Sequence, residues 1–356
     1  MKNILIVEDD VDEGNAIIKK LIEYGYNPTH VEKGDSAFEI FKDAAFDLIL
    51  LDVDLKQPIQ DGFRVCEKIK KEKKLKNIPV IFITKYDDPD KIKKGFYSGG
   101  VDYVKKPWLP EELLARISAH IKEANKAEEF RELLKNIFPI HIADALMNNE
   151  KIPPKYYSFV SILFTDFYQF TKIVSGTLEE TLIDKLNTYF TEFDEISQKN
   201  EVIKIKTIGD SYMCAAGIPK KNESNPIDAV LAGLQMQQFV KSQKGNWKMR
   251  IGIHTGKVID GVIGVTGYAY DIWGEDVNTA KRIEEYGEIG KVNISQNTYA
   301  YIKHYFECTP MKEVEIKHGE KADMCFVKKI KPEYSDDGIN PNEKLKEIIR
   351  KKRDNR

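Results

Sequence analysis

Cysteine is scarce in this chain: four in 356 residues, Cys66, Cys214, Cys308 and Cys325, widely spaced and without a Cys-x-x-Cys pair. That argues against a zinc site or a disulfide framework and fits a reducing compartment. No apolar run approaches the roughly 18 to 20 residues that a helix needs to span a bilayer, and the first residues enter a strand-like segment without a secretory leader pattern. A soluble, cytoplasmic chain with no membrane partner is expected. An excess of one charge is also missing, because 55 lysines and arginines face 57 aspartates and glutamates. The chain therefore lacks the footprint of a nucleic-acid binder, and local runs such as Lys70 to Lys76 read as solvated surface. What is present is an ordinary apolar share, 42 %, enough for each half to bury a core.

The first part alternates short apolar runs (Ile4 to Val7, Leu48 to Leu51, Val80 to Thr84) with amphipathic segments (Glu13 to Tyr24, Arg64 to Lys71). This βα rhythm predicts an α/β doubly wound domain whose functional residues sit at the carboxyl ends of parallel strands. From Pro110 to about Phe138 the pattern is helical, with Leu113, Ile117, Ile121 and Ala124 at three- and four-residue spacing. That stripe suits a coiled-coil linker whose register breaks near Glu128, or a last domain helix followed by an ordinary spacer. A second rhythm starts at Tyr157: strand Phe159 to Asp166, helix Leu178 to Gln198, strands Val202 to Ile208 and Tyr212 to Gly217, helix Pro226 to Lys241, strand Lys248 to Thr255. Strand, helix, hairpin, helix, strand is the split βαβ order of an α+β ferredoxin-like core. The charged tail after Lys331 is expected to be mobile, with at most a short surface helix over Glu343 to Lys352. The expected boundaries are 1–123, a helical linker at 124–155, a second domain at 156–330 and the tail at 331–356.

In the first part Glu8 and Asp9 follow one strand and Asp52 ends another, so three carboxylates converge at strand ends. Such a cluster is unfavourable unless a hard cation neutralises it, and one Mg²⁺ with oxygen ligands is the natural choice. Thr84 ends the next strand and Lys106 precedes Pro107 after another. A metal, a hydroxyl and an ammonium around one carboxylate can stabilise an acyl phosphate, with Asp52 as nucleophile. Over Met1 to about Glu123 the residues resemble the receiver domains of two-component response regulators: Glu8-Asp9-Asp10, Leu-Leu-Asp52, Asp61-Gly62, Phe-Ile-Thr84 and Tyr103-Val-Lys-Lys106-Pro107. The resemblance implies phosphorylation of Asp52 by a sensor histidine kinase, Mg²⁺ on Glu8, Asp9 and Asp52, Thr84 and Tyr103 as the switch pair, and Lys106 on the phosphate. The loop Lys56-Gln57-Pro58-Ile59-Gln60 is two residues longer than usual for that family.

In the second part Asp166 ends a strand and Asp210 tips a Gly-Asp hairpin. In a ferredoxin-like sheet the first strand runs antiparallel beside the third, which makes these aspartates neighbours able to share two Mg²⁺ or Mn²⁺ ions about 3.5 to 4 Å apart. Asn278 and Arg282 are four residues apart, so on a helix they project from one face, as a donor and a guanidinium suited to a ribose and a phosphoryl transition state. Taken singly, the Gly-Asp is simply a common hairpin turn, and a polar helix face is the better reading of Asn278 and Arg282. Together, Phe164-Thr-Asp166-Phe-Tyr-Gln-Phe-Thr171, Lys204-Ile-Lys206-Thr-Ile-Gly-Asp210, Arg250-Ile-Gly-Ile-His-Thr-Gly256 and Asp271-Ile-Trp-Gly-Glu-Asp-Val-Asn278 through Arg282 resemble a class III adenylate or guanylate cyclase domain over about Tyr156 to Lys328.

That resemblance implies metal binding by Asp166 and Asp210, adenine selection by Lys206 and Asp271, transition-state stabilisation by Asn278 and Arg282, and a phosphate contact from Arg250. It also implies a homodimer with shared sites. Adenine offers an acceptor at N1 and a donor at N6, complementing an ammonium and a carboxylate, whereas guanine mismatches them. ATP is thus expected over GTP, and a noncatalytic nucleotide-sensing scaffold is disfavoured by the full motif set. Leu133 to Pro139 with Ile142-Ala143 resembles the transducer segment that precedes many such domains, while Asp323 stands where the family commonly has a phosphate-binding lysine, with Lys321 nearby.

Overall fold

The computed structural model describes residues 1–42, 44–55, 61–175, 179–243, 247–264, 267–310, 314–317 and 320–354. The chain forms two compact units, Met1–Ile137 and Phe138–Arg356. Among the described residues no helix is long and apolar enough to cross a membrane.

The first unit runs β1 (Asn3–Val7), α1 (Val11–Glu23), β2 (Asn27–Val31), α2 (Gly34–Ile40), β3 (Leu48–Asp52), α3 (Gly62–Lys71), β4 (Val80–Thr84), α4 (Pro89–Tyr97), β5 (Asp102–Lys105) and α5 (Pro110–Ile137). Its strands pair in parallel in the order β2-β1-β3-β4-β5. β3 and β4 are buried along their whole length, as befits strands covered by helices on both faces. The order reverses between β1 and β3, so the crevice that open parallel sheets leave falls at Glu8, Asp9 and Asp52. Helix starts are fixed locally: Asp10 accepts from the Asp12 and Glu13 N–H groups, and Asp61 accepts from Arg64 N–H. Gly62 allows α3 to begin against β3, because a Cβ there would lie 2.2 Å from the Asp52 carbonyl oxygen. α5 buries only Leu113, Leu114, Ile117 and Ile121, yet it continues unbroken through Glu128 to Ile137. The linker expected from residue 124 therefore begins as a continuation of the last helix of the first unit.

The second unit runs α6 (Ile140–Met147), β6 (Lys155–Phe167), α7 (Phe170–Ser175), α8 (Glu179–Lys199), β7 (Ile203–Ile208), β8 (Ser211–Ala216), α9 (Asn225–Ser242), β9 (Met249–Ile263), β10 (Ala269–Trp273), α10 (Glu275–Glu285), β11 (Val292–Ser295), α11 (Gln296–Ile302), β12 (Phe306–Pro310), β13 (Val314–Lys317), β14 (Glu320–Ala322), β15 (Met324–Ile330) and α12 (Glu343–Asp354). The sheet order is β12-β15-β11-β9-β6-β8-β7, with β10 added to β9. Its central four strands, β9-β6-β8-β7, have the expected split βαβ connectivity. Alternation along β6 and β8 divides the core: Leu163, Phe167, Tyr212 and Cys214 pack with α8 and α9, whereas Ile162, Phe164, Met213 and Ala215 pack with Ala280 of α10. β9 runs eight residues beyond the expected Thr255, and its far half forms a hairpin with β10.

The tail departs from expectation. Leu345 and Ile349 of α12 are buried in the α8–α9 core, and Arg353 reaches Asp228 at 2.8 Å and Glu201 at 2.9 Å. The charge-rich composition hid an apolar pair at i and i+4, and Asp228, buried without exposed surface, requires the guanidinium.

Candidate active site and phosphoacceptor pocket

In the first unit the strand ends bring Glu8, Asp9 and Asp52 together, with ligand oxygens all within 4.8 Å of one another. The donor set is all carboxylate and suits a hard divalent cation. Lys106 Nζ, itself buried, lies 2.7 Å from Glu8 and 3.3 Å from Asp52, and it also pairs with Glu13. Burial, helped by the Asp52 charge and opposed by Lys106, pushes Glu8 up to about 7. Burial lowers the proton affinity of Lys106, but Glu13, Glu8 and Asp52 outweigh it and the ammonium is held more firmly than usual. Thr84 is buried and accepts from the Tyr86 N–H at 3.0 Å. The half-buried Tyr103 ring packs edge-on against Phe96, with ring centroids 6.3 Å apart. The long loop, Lys56 to Gln60, lies outside the described residues.

In the second unit the antiparallel register of β6 on β8, with Thr165 opposite Tyr212, brings Asp166 to the turn that carries Asp210. Asp210 accepts from the Phe167 N–H at 3.2 Å. Its carboxyl is raised by burial and then by the negative charge of Asp166, the condition that a bound cation relieves. These two carboxylates fit the oxygen donors of a divalent metal, with further ligands to come from elsewhere. Arg250 of β9 points at the same place: Nη2 lies 3.1 Å from Asp166, Nε 3.0 Å from Glu284, and Nη1 donates to the Glu285 carbonyl at 2.7 Å. Lys206 of the edge strand β7 meets Asp271 of β10 at 2.5 Å. Asn278 is exposed and Arg282 half-buried on α10, and among the described residues neither side chain has a partner. The Lys321 side chain lies outside the described residues.

Two family descriptions match the chain: the adenylate and guanylate cyclase catalytic domain over residues 152–329, half of its length, and the response regulator receiver domain over residues 4–118. The chain belongs to the class III cyclases. It joins a receiver domain to the cyclase catalytic domain. It is 33% identical over 220 residues to the receptor-type guanylate cyclase gcy-7 of Caenorhabditis elegans, covering 59% of this chain and 19% of that protein. It is 36% identical over 167 residues to adenylate cyclase type 9 of Gallus gallus, covering 46% of this chain and 12% of that one. The chain thus spans about a fifth or less of the length of these curated relatives. Among solved structures, the guanylate cyclase domain of RhGC from Catenaria anguillulae in complex with GTP is 32% identical, with a TM-score of 0.49 over 50% of this chain and all of that one.

Three groups in this cyclase were not legible as site residues. Lys281 and Glu284 of α10 join the Asp166 cluster, and Asp276 of the same helix accepts from buried His254 at 2.9 Å and from the Lys257 N–H at 2.7 Å. The one signal was helical period: Glu284 falls four residues after Ala280, a charged residue on the buried stripe.

Proposed function

We propose that this cyclase converts ATP to cyclic AMP and pyrophosphate as a homodimer with two shared sites, under control of phosphorylation at Asp52 by a sensor histidine kinase. The pairing of Lys206 with Asp271 carries the choice of base. With the ammonium set on N1 and the carboxylate on N6, adenine matches both; guanine carries its acceptor at O6 and its donor at N1, the reverse order, and in that register would leave both groups mismatched. Relatives named for either nucleotide share the fold, so the base is argued from this pair alone.

In the reaction the 3′-hydroxyl oxygen of ATP forms a bond to the α-phosphorus, the bond to the β-phosphate bridge breaks, and the hydroxyl proton passes to solvent. Two divalent ions, Mg²⁺ or Mn²⁺, held by Asp166 and Asp210 would supply Lewis acidity to the attacking and leaving oxygens. The chain's own residues orient the substrate. Lys206 and Asp271 hold the base, Arg250 draws in phosphate oxygens, and Asn278 and Arg282 steady the ribose and the charge that develops on the α-phosphoryl group.

The dimer is supported by an apolar face beside Asp271. Tyr156, Ile259 and Trp273 stand in register across β6, β9 and β10 and are all exposed, with Ile263 and Tyr268 at the hairpin tip. Alternation along β10 puts Trp273 on the same face as Asp271, so a second copy covering this patch would bring its own groups to the base pocket. Incubating the purified protein with ATP or GTP and Mg²⁺ or Mn²⁺ and identifying the cyclic product tests the reaction; cyclic GMP as the main product would refute the base assignment. Mixing inactive Asp166→Ala and Asn278→Ala chains tests the sharing. A heterodimer places both defects in one site and should regain about half of the activity. No recovery despite verified heterodimers would contradict shared sites.

A further inference from the structure

One cation beside the metal carboxylates has no role in the reading above. Lys281 Nζ lies 3.7 Å from Asp166 Oδ1 and 2.7 Å from Glu284 Oε2. Glu284 has no exposed surface and binds Arg250 on its other oxygen, so one buried carboxylate fastens two cations against Asp166. The two cations differ in freedom. Arg250 is held by hydrogen bonds to Asp166 and to the Glu285 carbonyl, with the Glu284 charge 3.0 Å from its Nε. Lys281 is about a third exposed, and an ammonium on a four-carbon stem can change partner while its helix stays in place.

Charge decides where it goes. Asp166, Asp210 and Glu284 carry three negative charges against two positive ones from Arg250 and Lys281, so the pocket is close to neutral without metal. Divalent ions on the aspartates make it strongly positive and repel the ammonium from Asp166. A polyphosphate arriving with those ions restores the balance and offers a new partner at the same spot.

We propose that Lys281 is a triphosphate-binding residue, held near Asp166 in the empty site and transferred to a substrate phosphate oxygen when metal and nucleotide enter. This deepens the cyclase reading and rests on it. If Lys281 served only to balance Glu284, its removal would alter stability and leave ligand affinities alone.

The test uses the full chain and two binding measurements. In nucleotide-free protein, Mn²⁺ binding followed by electron paramagnetic resonance should tighten roughly three- to tenfold in Lys281→Met, because a competing cation has gone. Binding of 3′-deoxy-ATP with Ca²⁺, measured by calorimetry, should weaken about tenfold in the same variant and return toward normal in Lys281→Arg. The double variant Lys281→Met, Glu284→Gln leaves no orphan buried charge and should behave the same way, which covers a folding failure of the single one. Mn²⁺ and nucleotide affinities equal to those of the unaltered protein overturn the role of Lys281 alone. Failure of the unaltered protein to bind any nucleoside triphosphate overturns the cyclase reading and this inference with it.

Discussion

The two acidic pockets solve the same electrostatic problem to different degrees of completion. In the receiver, three carboxylates and one buried lysine come from the ends of β1, β3 and β5, and a single fold assembles the whole cluster. In the cyclase unit, Asp166 and Asp210 meet beside Arg250, Lys281 and Glu284, while among the described residues the Asn278 and Arg282 side chains of α10 have no partner. A pocket closed by one chain can hold its ion before anything else binds. On the proposed reading, one whose carboxylates are already paired with Arg250 and Lys281 would leave its coordination to be completed by substrate and a second copy, and catalysis would be conditional on assembly.

Removing a carboxylate from each pocket separates them most sharply. Asp166→Asn or Asp210→Asn should lower cyclase turnover at least about a hundredfold while circular dichroism and phosphoryl uptake stay normal, since several kcal/mol of metal assistance is lost. Asp52→Asn should do the reverse: no label from a small phosphodonor, and basal cyclase activity kept. Should the phosphodonor change the activity of both the unaltered protein and Asp52→Asn equally, the control proposed here would be sunk.

Stability gives a second division. Leu345→Ala should destabilise the cyclase unit by about 2–5 kcal/mol through a core cavity and leave the melting transition of the receiver unmoved. Base recognition is a finer matter. Lys206→Glu combined with Asp271→Cys should shift the ATP to GTP specificity ratio by roughly ten- to a hundredfold toward GTP, with an unchanged ratio pointing to other base-selecting groups. The smallest effect is on pH dependence. Burial, only partly offset by Arg353, pushes Asp228 up to about 6 from an ordinary 3.8. A raised carboxyl adds stability below the lower value and loses it as pH rises through the higher one. Asp228→Asn should therefore flatten that decline between about pH 4 and 6 in denaturant titrations.

Both folds were readable because periodicity and turn chemistry agreed. The apolar runs of the receiver are continuous where strands are buried on both sides, and β6 to β9 of the cyclase follow the expected order. The proximity of Asp166 to Asp210, and of Asp52 to Glu8 and Asp9, was readable because these residues lie at strand ends or a hairpin tip. Harder to see were groups whose partners are remote in sequence: Lys281 against Asp166, His254 against Asp276, Arg353 against Asp228. The second half of β9 was hidden because Lys257, Asp260 and the glycines at 256 and 261 interrupt its apolar pattern. The α5 helix was anticipated as far as Phe138, but its spacing did not show that its buried positions end at Ile121.

The docking of α12 on the α8–α9 face has a consequence for the order in which the protein is made. Every strand of the receiver leaves the ribosome before any of the cyclase sheet, so that domain can close early. The cyclase unit must wait for its most C-terminal described helix. Until Arg353 emerges, Asp228 has no guanidinium beside it, and until Leu345 and Ile349 emerge, the apolar face they cover is open to water. An unfinished chain can therefore carry a folded receiver while its cyclase half is still immature.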